Sequence, residues 1–124
     1  MATRSLIGIE NNDGTITHIY CHFDGYVEGV GKVLLQHYRT EDRIREMLSH
    51  GDRSSLSEDV ASSVYSIKSD AVTSTAWSDA GQDYVYLWRK GHWIYRDWHD
   101  DFDYRPLETA MEMLSAELEV RDGV

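Results

Sequence analysis

Histidine, cysteine and aspartate stand close together in two segments of the chain, and these side chains can hydrolyse bonds or bind metal ions. The first segment holds Cys21, His22 and Asp24. A structural zinc site takes its ligands as two close pairs, whereas this chain has one cysteine and no evident second pair. Adjacent strand residues face opposite sides of a sheet, so Cys21 and His22 form a poor catalytic dyad. We therefore expect a buried cysteine and a hydrogen-bonded histidine.

The second segment is an acidic stretch between a predicted strand and a predicted helix. Its members are Asp97, His99, Asp100, Asp101 and Asp103. The spacing lacks the glycine and distal glutamate of an EF-hand loop. A solvated loop whose negative charge suits the following helix start is the simpler interpretation, and no metal site is expected. A small hydrolase that uses His22 or His99 with an aspartate is a further alternative, although it has no nucleophile motif.

The run Gly29-Val30-Gly31-Lys32 superficially resembles a phosphate loop. The Walker pattern requires a glycine where this chain has Tyr26, and serine or threonine where it has Val33. A helix start with free amides and Lys32 could still hold an anion. The competing interpretation, which we favour, is that small residues allow a helix to pack closely on a sheet.

Aromatic and cationic side chains alternate near the end of the chain. Stacking platforms with nearby cations bind nucleotides and single strands, but cross-strand aromatic pairs also stabilise a sheet without a ligand. One face of this hairpin must be core, and the other is either a ligand platform or a surface for association into a homo-oligomer. The candidate ligand-binding residues are Lys32, Tyr84, Tyr86, Trp88, Arg89, Lys90, Arg96 and Arg105.

Composition excludes several classes of protein. The 124 residues carry 22 acidic and 12 basic side chains, a formal net charge of −10. Non-specific duplex-DNA binding is disfavoured because it depends on neutralising phosphates. No apolar run approaches the roughly 20 residues of a membrane helix. A single cysteine fits a reducing cytosol and excludes an internal disulfide framework. The acidity is spread along the chain, so it either supports solubility or attracts a basic surface.

The hydrophobic pattern predicts one α+β domain over residues 1–124. We expect an antiparallel sheet with an N-terminal hairpin, two short helices, an aromatic hairpin and a C-terminal helix packed on one side. Thr40 is the predicted N-cap of the second helix and Gly51 its terminator. Predicted strands cover residues 5–10, 15–23, 64–67, 71–73, 84–88 and 93–98, and predicted helices cover 27–39, 41–50 and the segment that begins at Pro106.

Residues 19–38 carry the pattern Tyr-Cys-His-Phe-Asp-Gly-Tyr-Val-Glu-Gly-Val-Gly-Lys. This segment resembles a signature in small proteins of bacteriophages and prophages. A Gly-Thr hairpin before it, the Gly-Asp-x-Ser-Ser-Leu stretch at 51–56 and Arg-Pro-Leu at 105–107 are similar as well. The resemblance implies an accessory phage protein in the cytoplasm of the bacterial host. It supplies no activity and no catalytic residues.

Two functions are therefore expected from the sequence. The first is a non-enzymatic protein that inhibits a host defence factor, such as a CRISPR effector or nuclease, by stoichiometric binding. Its acidic surface, with Asp97, Asp100, Asp101 and Asp103, would contact a basic partner. The alternative is a sponge for a nucleotide immune signal, held by the aromatic and cationic residues of the hairpin. Neither function requires a cofactor, a membrane or duplex DNA.

Overall fold

The computed structural model describes residues 3–64, 71–74, 83–97 and 104–122, with side chains described up to residue 114. Six strands form one sheet, and the helices pack on it. The strands are β1 Ser5–Glu10, β2 Ile16–Cys21, β3 Val72–Ser74, β4 Tyr84–Arg89, β5 His92–Asp97 and β6 Arg105–Pro106. The helices are α1 Lys32–His37, α2 Glu41–Ser49 and α3 Leu107–Asp122, and a π-helical segment, Val27–Gly31, precedes α1.

Two tight turns create the two predicted hairpins. Between β1 and β2 the amide of Gly14 donates to the carbonyl of Asn11 at 3.0 Å, and Gly14 has a φ of +87°. Between β4 and β5, Lys90 and Gly91 both have positive φ, +52° and +86°. Paired positive φ values match the right-handed twist of the flanking strands, so this dipeptide closes the aromatic hairpin. Both hairpins are confirmed.

The sheet has the order β3-β2-β1-β4-β5-β6, and it is mixed. Ser5 to Ile9 of β1 pair in parallel with Tyr84 to Trp88 of β4, whereas the other pairings are antiparallel. The α+β class is thus confirmed, but the sheet is not antiparallel throughout. The hairpin with β2 occupies one edge of β1, so the returning chain adds β4 to the other edge, in the direction of β1.

The first predicted helix, residues 27–39, is a composite of two helical types. The amide of Lys32 reaches the carbonyl of Val27, five residues earlier, which defines the π-helical segment. The α-helical part then runs from Lys32 to His37. The next helix follows the prediction more closely: Thr40 accepts a hydrogen bond from the amide of Arg43, and Gly51 adopts a φ of +80° just after the helix ends.

The weaker predictions have mixed outcomes. The expected strand at 71–73 is β3, shifted by one residue and paired with β2. Of the expected strand at 64–67, Val64 forms an isolated bridge with Arg53, and the remainder lies outside the described residues. The C-terminal helix begins at Leu107, one residue later than expected, because Pro106 belongs to β6.

The helices cover one face of the sheet and bury its aromatic and branched side chains. The sheet contributes Ile7, Ile9, Ile19, Cys21, Tyr86, Trp93 and Tyr95, and the helical elements contribute Val30, Leu34, Ile44, Met47 and Leu107. On the opposite face, Leu6, Ile16, Val85 and Leu87 are also buried. Both faces of the central strands are thus shielded from water.

A fully buried arginine, Arg53, holds the segment after α2 in place. Its exposed fraction is 0%, and its terminal nitrogens donate to the carbonyls of Met47 at 3.1 Å, Val60 at 2.7 Å and Ser62 at 3.3 Å. Its own carbonyl accepts from the amide of His22 at 3.1 Å. Because burial penalises the charge, the pKa of Arg53 is lowered. The guanidinium therefore ties α2 to the 54–63 segment, and the main chain of Arg53 ties both to the end of β2.

Candidate functional site

The aromatic hairpin turns its rings toward the helices. Tyr84, Tyr86 and Trp88 have the same strand parity, and Tyr86 is completely buried. Its hydroxyl donates to the carbonyl of Gly25 at 2.6 Å, and the indole of Trp93 donates to the carbonyl of Tyr38 at 2.8 Å. These partners allow polar aromatic groups to enter a core. The ring of Tyr86 consequently serves packing, and a nucleotide has no access to it.

The cations of the predicted ligand site are not brought together. Arg89 pairs with Glu10 at 2.8 Å, and Lys90 stands exposed at the tip of the hairpin. Arg96 shares strand parity with the residues facing away from the helices, whereas Arg105 pairs with Tyr95 on the helix-covered side. Exposed Lys32 lies at the start of α1. A phosphate beside Arg105 would therefore lie on the opposite face of the sheet from Arg96.

The glycine segment is closely packed. A Cβ on Gly31 would lie 3.4 Å from the ring of Tyr86 on β4, which fits the interpretation that small residues let this helical segment approach the sheet. The amides of Gly25, Gly29 and Val30 donate to the carbonyls of Thr3, Tyr26 and Asp24. A Cβ on Gly29 would lie 2.2 Å from the carbonyl oxygen of Asp24. These three amides are therefore engaged within the chain, which removes them as donors to an anion beside Lys32.

The sulfur and imidazole groups of the first segment are separated by the sheet. Cys21 is buried in the helix-side core, and desolvation raises the pKa of its thiol to about 11. His22 shares a 2.6 Å hydrogen bond between its Nδ1 and the hydroxyl of Tyr20. His18 is half-buried, and desolvation lowers its pKa. Within the described ranges, no three of the histidine, cysteine, aspartate and glutamate side chains are grouped as a metal site.

Of the four predicted partner-binding aspartates, the structure describes one. Asp97 ends β5 directly opposite Tyr84 in the β4–β5 pairing, and it is half-buried. Asp100, Asp101 and Asp103 lie outside the described residues, as do Trp98 and His99. The structure therefore describes only the first member of the acidic stretch, and this residue lines a groove.

This groove, of about 260 Å³, runs between the end of the sheet and α3. It brings together three of the predicted site residues, Tyr84, Asp97 and Arg105, from the two candidate sites that the sequence analysis kept separate. Desolvation, followed by the Asp97 and Glu28 carboxylates, raises the pKa of Tyr84 to about 12. The groove is lined by Val27, Glu28, Tyr84, Tyr95, Asp97, Arg105, Ala110, Met113 and Leu114.

Residues 23–28 form a short surface beside the groove, here called the acidic–aromatic loop. No role was expected for it from the sequence. Phe23 is 47% exposed and Tyr26 38%, although both are large apolar rings. Asp24 and Glu28 stand between and beside them, also exposed, and the hydroxyl of Tyr26 donates to the Asp24 carboxylate at 3.1 Å. A signal was present in the sequence: two aromatics three positions apart, interleaved with acids and with glycines that break regular structure.

The acidic–aromatic loop is fixed by main-chain hydrogen bonds. The amide of Phe23 donates to the carbonyl of Ser54 at 2.8 Å, and the amide of Gly25 donates to the carbonyl of Thr3 at 2.9 Å. Asp24 takes a φ of +58°, a conformation that aspartate tolerates better than most residues. The two exposed rings are thus presented on an anchored backbone, and Glu28 connects them to the groove because it lines both this surface and the groove.

Among the residues that the structure describes, no helix combines the length and the apolar character needed to cross a bilayer. A scan against protein-family models and searches of curated proteins and of solved structures found no significant match to this chain.

Proposed function

We propose that this chain is a non-enzymatic binding protein that engages a basic surface of a protein partner through the acidic–aromatic loop and the neighbouring carboxylates. The observation that carries the proposal is the pair of exposed rings, Phe23 and Tyr26, held beside Asp24 and Glu28 on an anchored loop. Aromatic side chains are enriched at protein interfaces and provide much of their binding energy. An interface of this composition suits a partner with apolar pockets surrounded by lysine and arginine.

The charge of the chain supports this choice of partner. With a formal net charge of −10, the molecule attracts basic surfaces and accelerates their encounter at low ionic strength. At about 0.1 M salt, where charges are screened over about 10 Å, the short-range contacts of the acidic–aromatic loop must supply the affinity. The resemblance to small phage proteins suggests a host defence factor, such as a nuclease, as the partner class.

The alternative, a sponge for a nucleotide signal, receives less support. Tyr86 is committed to the core, Arg89 is paired with Glu10, and Arg96 and Arg105 lie on opposite faces of the sheet. The groove that does contain Tyr84 and Arg105 also contains two carboxylates. Negative walls oppose a phosphate, so protein binding is the function that the site favours.

The test is capture from a bacterial lysate by the immobilised chain, followed by reconstitution with the purified partner. We expect a basic protein in a stoichiometric complex whose affinity falls as ionic strength rises. The double variant Phe23→Ser, Tyr26→Ala should weaken binding at least about tenfold, because two exposed anchors are removed. Val72→Thr provides the matched control, since Val72 is 55% exposed on β3, on the far edge of the sheet.

A second pair of variants tests the electrostatic part. Asp24→Asn, Glu28→Gln removes two charges and keeps side-chain size, and asparagine tolerates the positive φ of position 24. It should weaken binding and reduce the dependence on salt, whereas Glu46→Gln on the exposed side of α2 should change neither. Binding that is unaffected by both double variants would contradict the proposal.

A further inference from the structure

A second groove lies between the acidic–aromatic loop, the start of α1 and Leu56, and is called the loop groove here. Its volume of about 350 Å³ is at the small end of the roughly 300–1,000 Å³ that ligand sites occupy. Leu56 and Val33 are half-buried, pack on the core and give the groove an apolar wall. The amide of Phe23 donates to the carbonyl of Ser54 at 2.8 Å, which holds the segment of Leu56 beside the loop. One long side chain with an apolar stem fits in this space.

The charged side chains of the loop groove are ordered along it. Asp24, Glu28 and Lys32 follow one another at intervals of four positions, and Gln36 follows after another four. Helical residues four positions apart lie on one face, and all four of these residues line the groove. One end of the loop groove is therefore acidic, and the other end carries an ammonium and an amide.

The acidic end has carboxylate oxygens available to a ligand. In the part of the chain that the structure describes, neither the Glu28 carboxylate nor the Lys32 ammonium takes part in a hydrogen bond or an ion pair. The Asp24 carboxylate accepts one hydrogen bond, from the hydroxyl of Tyr26 at 3.1 Å, and two carboxylate oxygens can accept several. A cation at this end meets two exposed carboxylates and the ring of Tyr26, which attracts cations through its quadrupole.

The other end of the loop groove is a poor anion site. The amides of Gly29 and Val30 donate to the carbonyls of Tyr26 and Asp24, so they are engaged within the chain. A phosphate would thus meet the Lys32 ammonium without these amides, on a molecule with a net charge of −10. For an incoming cation, Lys32 is a like charge that disfavours this end and directs the cation toward Glu28.

We propose that the acidic end of the loop groove receives one arginine side chain of the basic protein partner. The aliphatic stem would pack on Val33 and Leu56, and the guanidinium would meet the Glu28 carboxylate and the ring of Tyr26. Arginine suits this site better than lysine because its planar fork can stack on a ring and donate two hydrogen bonds to one carboxylate. The inference rests on the proposed function, which it deepens by naming the residue that is recognised.

The experiment observes the loop groove by NMR of the full chain with ¹³C-labelled leucine methyl groups. Leu56 lines the groove, whereas Leu87 is fully buried on the opposite face of the sheet and is the internal reference. The probe is N-acetyl-L-arginine methylamide, and the comparison probes are its lysine and citrulline analogues, all at one ionic strength. We expect a saturable Leu56 shift with the arginine probe at about millimolar concentration and an unmoved Leu87 signal. The lysine probe should bind at least about twofold more weakly, and the uncharged citrulline probe at least about fivefold.

Charge variants test the order of the groove. Glu28→Gln should weaken the arginine probe by about fivefold, because it removes the carboxylate that the guanidinium meets. Lys32→Gln should strengthen it by about twofold, because it removes a like charge. Glu46→Gln, on the exposed side of α2, is the matched control and should leave the affinity unchanged. Each variant is first compared with the parent chain by circular dichroism and by its Leu87 signal.

Four results would overturn the proposal: no saturable shift, equal binding of the lysine or citrulline probe, weaker binding of the arginine probe to Lys32→Gln, or a Leu56 shift that follows protein concentration without a probe. The last result would identify a second copy of the chain as the occupant. Failure here is distinguishable from failure of the proposed function. A captured partner that still depends on Phe23 and Tyr26, but binds Lys32→Gln and the parent chain equally, would leave that function standing without an arginine in the groove.

Discussion

The hydroxyl of Tyr86 and the carbonyl of Gly25 form a 2.6 Å hydrogen bond between residues 61 positions apart in the chain. Tyr86 lies in the middle of β4, and Gly25 lies in the acidic–aromatic loop. Both residues are buried, so each group provides the hydrogen-bond partner that the other cannot obtain from water. The bond attaches the proposed binding surface to the centre of the sheet, and it explains how exposed rings at Phe23 and Tyr26 can stand on a fixed backbone.

Replacing Tyr86 with phenylalanine should therefore lower the free energy of unfolding by about 1–3 kcal/mol, because a buried carbonyl loses its donor while the ring is retained. Urea denaturation measures the change. Tyr26→Phe is the control, since the Tyr26 hydroxyl bonds an exposed carboxylate and its loss should leave stability nearly unchanged. Equal stability of the two variants would show that the Gly25 carbonyl has another partner.

Arg53→Lys should be strongly destabilising, by about 2–3 kcal/mol, although it conserves charge. A lysine ammonium cannot reproduce the fork that reaches the carbonyls of Met47, Val60 and Ser62. Arg45→Lys provides the comparison: Arg45 is exposed, and its contacts with Glu41 and Asn11 lie in solvent. Thermal and urea unfolding of the two variants should differ clearly, and similar curves would contradict the structural role assigned to Arg53.

The free energy of unfolding should fall at alkaline pH because the buried Cys21 thiol resists losing its proton. Its folded pKa is about 11 against an ordinary value of 9.0, so the folded state keeps the thiol proton at pH values where the unfolded state loses it. The contribution is complete below pH 9 and is lost as pH rises toward 11. From pH 8 to 10 the parent chain should lose about 1 kcal/mol more than Cys21→Ala, measured by urea denaturation at each pH. If the free energy of unfolding fell equally with pH in the parent chain and in Cys21→Ala, this assignment to Cys21 would be wrong.

The glycines at 29 and 31 should respond differently to alanine. A Cβ at Gly29 meets a backbone oxygen at 2.2 Å, so Gly29→Ala must distort the loop and should cost more than about 2 kcal/mol. A Cβ at Gly31 meets the end of the Leu107 side chain at 3.1 Å, which can move. Gly31→Ala should change stability by less than about 1 kcal/mol, because helix propensity offsets the crowding. Calorimetry of both variants tests the ranking.

Local chemistry made much of the fold predictable. The capping hydroxyl of Thr40, the Lys90-Gly91 turn and the terminator Gly51 act over a few residues, and each lies where the sequence indicated. The parallel pairing of β1 with β4 was not predictable in this way, because it joins residues about 80 positions apart and leaves no local pattern.

The site was less predictable than the fold. Strand parity showed that Tyr84, Tyr86 and Trp88 share a face, but helices whose positions depend on long-range packing decide that this face is buried. Arginine is a residue type found mostly on protein surfaces, so the sequence offered no reason to expect Arg53 in the core. Its burial is favourable only because three carbonyls converge on its guanidinium. The groove unites residues 27–28 with 84–114, a juxtaposition that no spacing within one segment encodes.

The central place of β1 has a consequence for how the chain is made. One edge of β1 pairs with β2 almost as soon as both leave the ribosome, but the other edge waits for β4, about 75 residues later. Until then Ile7 and Ile9 sit on an open strand edge, which invites pairing with other nascent chains. A fragment that ends before Tyr84 should aggregate, so the aromatic hairpin protects the newly made chain as well as completing the sheet.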